Sequence, residues 1–211
     1  HLSIRRQRQM CIRDSFPTRQ IKIAVIDMSR AFRRAALTAF PGVKIVIDKF
    51  HVIGVVIEAL DETRKRVQRS KPKGQKNPVY RLRYLLRKGR EELDAEEQAR
   101  LQAALDQEPD LQMAYQLKEA FRDWYQILIP QYAAQRLQEW YQQAEATGWA
   151  EWQEAVKTLQ NWEYDILNYF YWRVTNGFTE GSNNTVKVVK RRGYGYRNFD
   201  NLRRRILLEG T

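Results

Sequence analysis

Cysteine and histidine are nearly absent from this chain of 211 residues: Cys11 is its single cysteine, and His1 and His51 are its two histidines. One thiol can build neither an intrachain disulfide nor a zinc ribbon. With His51 the one histidine beyond the first nineteen residues, a nucleophile activated by imidazole has little support. No apolar run approaches the ~18 to 20 residues of a membrane span, no repeat recurs at a solenoid period, and no secretory signal pattern is present. The expectation is a globular protein of a reducing, cytoplasmic compartment with no membrane partner.

What the chain does carry is charge of one sign. Lys and Arg number 37 against 25 Asp and Glu, a formal charge of +12, with a sequence pI near 9.9. That balance fits nucleic acid or an anionic membrane surface, and the lack of a spanning segment favours nucleic acid. Apolar residues make up 43% and include six Trp, enough for one good core, whole or split into two lobes.

Residues 1–19 have neither helical nor strand periodicity and resemble a translated cloning or sequencing scar, so they are set aside as a non-native leader. Ile21-Lys-Ile-Ala-Val-Ile26 reads as a strand buried on both faces and ended by Asp27. The spacing of Phe32, Ala35, Ala36 and Ala39 predicts a helix over about Ser29 to Phe40 with these side chains sharing a face; Pro41-Gly42 stops it. Val43 to Ile47 predicts a second strand, ended by Asp48. Strand, helix, strand with short connections is a parallel crossover, which delivers both aspartates to the same C-terminal sheet edge.

From there the pattern is helical for most of the remaining chain. A helix from about Phe50 to Arg69 is expected to break at the basic linker Lys71 to Pro78. Asp94 looks like an N-cap with Glu97 three residues on, and Pro109 and Pro130 punctuate further helices. Trp124, Trp140, Trp149, Trp152 and Trp162 read as helix-bundle core before any role in base stacking. Two last helices are expected on either side of Gly193 to Arg197.

Glu180 is the most informative residue. It sits in Asn176-Gly-Phe-Thr-Glu-Gly-Ser-Asn-Asn184 and opens a run of Lys and Arg that continues almost to the C-terminus. DNA is a polyanion, so an acid among its contacts costs affinity unless a divalent cation lies between them. Counting by three and four from Glu180 reaches Asn183 or Asn184, Lys187 and Arg191, a stripe from carboxylate through amide to cations. Lys190, Arg192, Arg197, Arg203, Arg204 and Arg205 thicken the basic stretch, and Tyr194, Tyr196 and Phe199 offer rings for unpaired bases. Asp27, Asp48 and Glu180 are the candidate hard-metal ligands. Simpler readings stand beside these: Asp27 as a helix cap that Ser29 could equally supply, Asp48 as a cap with His51 in the first helical turn, and the Glu180 helix as a solvated mixed-charge face.

Three of these stretches, Val25-Ile-Asp27-Met-Ser, Ile45-Val-Ile-Asp48-Lys-Phe-His51-Val and Asn176 to Phe199, resemble the bacterial insertion-sequence transposases of the DDE class, of the ISL-three type. With the helices between them, the resemblance covers nearly all of residues 20 to 208. It implies an α/β fold, an incomplete ribonuclease H-like core with a large all-helical insertion, mostly helical overall. The implied divisions are 20–57 for the first strands and helix, 58–165 for the insertion, and 166–211 for the helix of the catalytic glutamate and the basic tail. It also implies two Mg²⁺ (or Mn²⁺) ions, held by two Asp and one Glu, that activate water or a DNA 3′-hydroxyl for attack on a phosphodiester. By motif position Asp27 matches the second catalytic aspartate and Glu180 the glutamate, both as metal ligands, while Asp48 and His51 match a supporting D-x-x-H motif. The implied partners are double-stranded DNA at transposon ends and target, and further copies of the chain in a homo-oligomer in the bacterial nucleoid.

One departure stands out. The first aspartate of that family lies on a strand of an antiparallel meander upstream of the strand matching Ile21 to Ile26, and no such meander is legible here; Asp14 has no flanking strand. The expectation is a transposase fragment that does not cut DNA alone. The competing expectations are a non-catalytic DNA-binding or assembly module and, last, a generic helical interaction protein.

Overall fold

The computed structural model describes residues 20–70, 82–193 and 198–209. The leader and the basic linker at Lys71 to Pro78 lie outside the described residues. β1 (Ile23–Ile26) leads into α1 (Arg30–Ala39), which Ser29 opens by accepting a hydrogen bond from the Phe32 amide at 3.4 Å. Gly42, at φ +82°, takes the left-handed conformation that reverses the chain. β2 (Lys44–Ile47) then pairs with β1 in parallel, Ile23 opposite Lys44 and Ile26 opposite Ile47. The expected crossover is present.

Two details differ from expectation for a common reason. β1 is half-buried along its whole length instead of buried on both faces, whereas Ile45, Val46 and Ile47 of β2 are sealed. Of the predicted α1 face, Ala36 alone is buried; Ala35 is exposed and Phe32 is 58% exposed. Among the described residues the sheet has two strands. A helix roughly 10 Å across overhangs strands spaced about 4.8 Å apart, so among the described residues no strand lies beneath the flank of α1 beyond β1.

α2 (Lys49–Arg69) starts at the end of β2 and runs unbroken past residue 57 into the helical region, burying Val52, Ile53, Val56, Leu60 and Val67 along one stripe. The short α3 (Arg83–Arg87) and a 3₁₀ turn at Arg90–Glu92 follow. α4 (Ala95–Leu105) opens with the expected capping box: the Glu97 amide donates to Asp94 Oδ1 at 2.8 Å and the Asp94 amide to Glu97 Oε2 at 3.3 Å. α5 (Pro109–Trp124) and α6 (Pro130–Ala146) each begin with proline, whose missing N–H costs nothing at that position. α7 (Ala150–Gln160) and α8 (Glu163–Trp172) complete the bundle, with α5 and α7 against α2 and α8 against β2.

Four of the five tryptophans expected in the core are buried there, and Trp172 at the end of α8 is exposed. Trp124, Trp140, Trp152 and Trp162 are buried, and the first three donate through Nε1 to the Ala133 carbonyl, the Leu117 carbonyl and Thr63 Oγ1 at 2.7, 2.9 and 2.9 Å. Each indole thus buries a large apolar area with its polar atom satisfied. Trp149, at the surface, is covered by the Arg66 guanidinium 4.5 Å from its ring. Residues up to Arg173 form one compact unit and those from Val174 a second, in which α9 (Gly177–Arg192) packs on α10 (Phe199–Glu209).

The outer edge of β2 is closed by a side chain: Asn168 of α8 donates from Nδ2 to the Ile45 carbonyl at 2.8 Å, in a buried setting. Asn168→Ala leaves that carbonyl unsatisfied and should lower unfolding stability by about 1 to 3 kcal/mol in urea melts; an unchanged midpoint would show that α8 does not hold the sheet. A second prediction concerns acid. Burial raises the Glu151 pKa, but hydrogen bonds from its own amide, Arg66 and Thr63 outweigh it, and the carboxyl sits below its ordinary 4.5. The stability this gives is full above pH 4.5 and is lost as pH falls through the lower folded value. Glu151→Gln should therefore flatten the acid limb of the stability profile.

Candidate metal centre

β1 and β2 end side by side, and their next residues are Asp27 and Asp48. The Asp48 amide donates to the Ile26 carbonyl at 2.8 Å, extending the parallel ladder by one rung past Ile47. Consecutive rungs of parallel strands put facing residues on one side of the sheet. The two aspartates therefore share a strand end, as the crossover predicted.

Their surroundings differ. Asp27 is half-buried, and its Oδ1 is shielded from solvent with no hydrogen-bond partner among the described residues. Ser29 makes the side-chain cap of α1, so Asp27 is not needed for that role. A buried carboxylate oxygen without a partner costs free energy, and a divalent cation is one group that would satisfy it. Asp48 is 3% exposed and stands at the N-cap position of α2 without a side-chain cap hydrogen bond.

His51 follows Asp48 at the start of α2. It lies exposed in the first turn of α2, its amide donating to the Asp48 carbonyl at 3.1 Å. Asp48 holds the extended N-cap position, φ −63° and ψ 127°, with His51 at the third helical residue after it.

Sequence reasoning passed over two residues beside Asp48. Tyr125, from the end of α5, is 1% exposed with its hydroxyl unpartnered among the described residues. Burial, reinforced by Tyr169 and by the charge of Asp48, holds its pKa well above the ordinary tyrosine value, so the hydroxyl is a donor. Lys49 places its ammonium 5.4 Å from the Tyr125 ring centre, and burial together with Arg122 lowers its pKa against the pull of Glu91. No local pattern could have revealed Tyr125, which reaches Asp48 through the packing of α5 on α2.

Glu180 belongs to the second unit, as the fourth residue of α9, where the positive end of the helix dipole favours a carboxylate. Its side chain, like that of Asn183, lies outside the described positions. Asn184, Lys187, Lys190, Arg191 and Arg192 are exposed along α9, and Arg203 and Arg204 along α10. The spacing puts positions 180, 184, 187 and 191 on one helical face. Tyr194, Tyr196 and Arg197 lie outside the described residues. Among the described residues no three His, Cys, Asp or Glu side chains cluster as a metal site.

The cap and ligand readings of Asp27 are separable by stability. In EDTA, Asp27→Ala should leave the unfolding midpoint unchanged or raised, because it removes an unsatisfied buried oxygen, while Ser29→Ala should cost about 1 kcal/mol. A loss at Asp27 equal to that at Ser29 would mean the aspartate serves local structure.

Comparison with known proteins agrees with the motif reading. Residues 7–206 match the ISL3 family of DDE transposases, whose description is "Transposase". The match begins inside the segment that the periodicity sets apart. Over 183 residues the chain is 33% identical to the transposase for insertion sequence element IS1001 of Bordetella parapertussis, covering 84% of this chain and 45% of that protein. It thus spans less than half the length of that relative. No solved structure gives a significant match. The chain belongs to the ISL3 family of DDE transposases.

Proposed function

We propose that this chain is part of the catalytic region of a DNA transposase, and that Asp27 and Glu180 are two of the three carboxylates that hold its divalent ions. The observation that carries the proposal is the buried, unpartnered Oδ1 of Asp27 at the end of a parallel strand. Family membership supplies the chemistry to which that oxygen is suited. In this reading β1, α1 and β2 are a remnant of a ribonuclease H-like sheet, and α2 to α8 are mostly the helical insertion.

The chain's own residues divide the work. Asp27 and Glu180 would ligate Mg²⁺ or Mn²⁺, two ions in the complete site, with Asp48 held beside Asp27 by the ladder. Bound ions of this kind lower the pKa of an attacking water or 3′-hydroxyl and stabilise the departing oxygen. Asn184, Lys187, Arg191 and their neighbours would neutralise phosphates of the duplex, positioning it without reading sequence. The exposed His51 would serve from the periphery. Among the described residues no strand beyond β1 and β2 is present to carry the first aspartate, so the chain by itself is expected not to cut DNA, and the longer protein is the active species, acting as an oligomer on transposon ends and target.

The test is made in that longer protein. Mn²⁺- or Mg²⁺-dependent nicking of transposon-end DNA should fall to background in Asp27→Ala and in Glu180→Ala. Duplex binding without metal should stay equal or tighten, since each change removes a negative charge. Nicking that survives Glu180→Ala would refute the proposal, and metal-independent binding with no nicking in the intact protein would favour a non-catalytic DNA-binding module.

A further inference from the structure

Lys187, Lys190, Arg191 and Arg192 of α9 are not the only exposed cations of the chain. On α1, Arg30, Arg33 and Arg34 follow i, i+3, i+4 spacing along the flank facing α8, and border an open cleft of about 650 Å³. Arg33 is neutralised: its Nε donates to Asp165 Oδ2 at 2.6 Å, pinning α1 to α8. Arg30 and Arg34 are exposed, and no ion pair is found for either among the described residues.

Their positions are locally unfavourable. Arg30 is the first residue of α1, where the helix dipole is positive, and the first turn holds no acid to offset it. Arg34 lies one turn further on, where like charges four residues apart repel. Nothing within α1 compensates either cost. The opposite wall offers donors of another kind: the exposed amides of Gln160 and Asn161, and Tyr164, whose ring is 67% exposed. The one further acid in the cleft, Glu163, is engaged elsewhere, both carboxylate oxygens accepting from Gln138 Nε2 at 3.0 Å.

We propose that this cleft between α1 and the start of α8 seats a stretch of DNA phosphate backbone, a contact separate from the basic face of α9. Two guanidinium groups one helical turn apart give two anchoring points, which suit a repeating polyanion better than a lone phosphate. Amide and phenol donors on the facing wall suit phosphate and sugar oxygens, contacts that carry no sequence information. The contact therefore adds affinity without sequence preference. It rests on the reading that the chain acts on DNA.

The experiment uses the full chain and a fluorescent 20-base-pair duplex, with anisotropy titrations across a range of KCl concentrations. The double variant Arg30→Gln/Arg34→Gln should weaken binding by about tenfold or more at low salt and flatten the plot of log affinity against log salt by about 1.8, the share of two phosphates. Its melting temperature should equal or exceed the parent's, because local repulsion is relieved. Lys187→Gln/Arg191→Gln should flatten the plot independently, and the two effects should add. An unchanged slope in the α1 variant, with a reduced slope in the α9 variant, overturns the cleft and leaves the DNA reading intact. A parent chain that binds no duplex even at low salt overturns both. A lower melting temperature in the α1 variant would assign the arginines to structure and overturn the cleft as well.

Discussion

Four rungs of parallel main-chain pairing, with a fifth contact from the Asp48 amide to the Ile26 carbonyl, place everything of chemical interest in the first unit. A sheet of two short strands is marginal by itself. It persists because helices close it: α8 seals β2 through the amide of Asn168, and α2 springs from the end of β2 and carries its apolar stripe into the bundle. The position of Asp27 is thus fixed by packing that lies mostly outside the strands. Helix α1 adds little cover, since one of its residues is buried and Phe32 faces solvent.

The bundle spends buried polar groups on register. Thr63 accepts from the Trp152 indole while donating to the Ala59 carbonyl and Glu151, and Arg66 bridges Glu151 and Asp110, so α2, α5 and α7 meet at one connected set of hydrogen bonds. Lys118 is fully buried, donates to the Lys88 carbonyl at 2.6 Å, pairs with Glu119 and lies 4.3 Å from the Tyr115 ring centre. Networks of this kind are directional. Buried polar atoms of Arg66, Glu119, Arg122, Tyr125 and Tyr141 also lack a hydrogen-bond partner among the described residues, but Asp27 Oδ1 is the one of this set at a strand end, where a ligand could complete the structure.

Local signals were legible in the sequence. The apolar runs ended by Asp27 and Asp48, the Ser29 cap, Pro41-Gly42, the Asp94–Glu97 capping box and the helix-opening prolines each act over a few residues, and each appears where the pattern put it. What depended on distant partners was not legible. The exposure of Phe32 follows from the number of strands beneath α1, which periodicity cannot count. Tyr125 beside Asp48 and Asn168 on Ile45 arise from helix packing across remote segments. Of the α1 arginines the sequence showed the charge but not the facing wall of amides and tyrosine that gives the charge a place to act.

The central proposal is that Asp27 and Glu180, remote in sequence, serve the same divalent ion. Paramagnetic broadening by Mn²⁺ in the isotopically labelled chain tests it most directly, because the effect is local and visible even for weak binding. The account predicts that amides from Ile26 to Met28 and those flanking Glu180 lose intensity together at the same Mn²⁺ concentration, and that Asp27→Ala abolishes the effect at both places. Broadening near Glu180 or at exposed surface acids, with the amides around Asp27 left sharp, would contradict it.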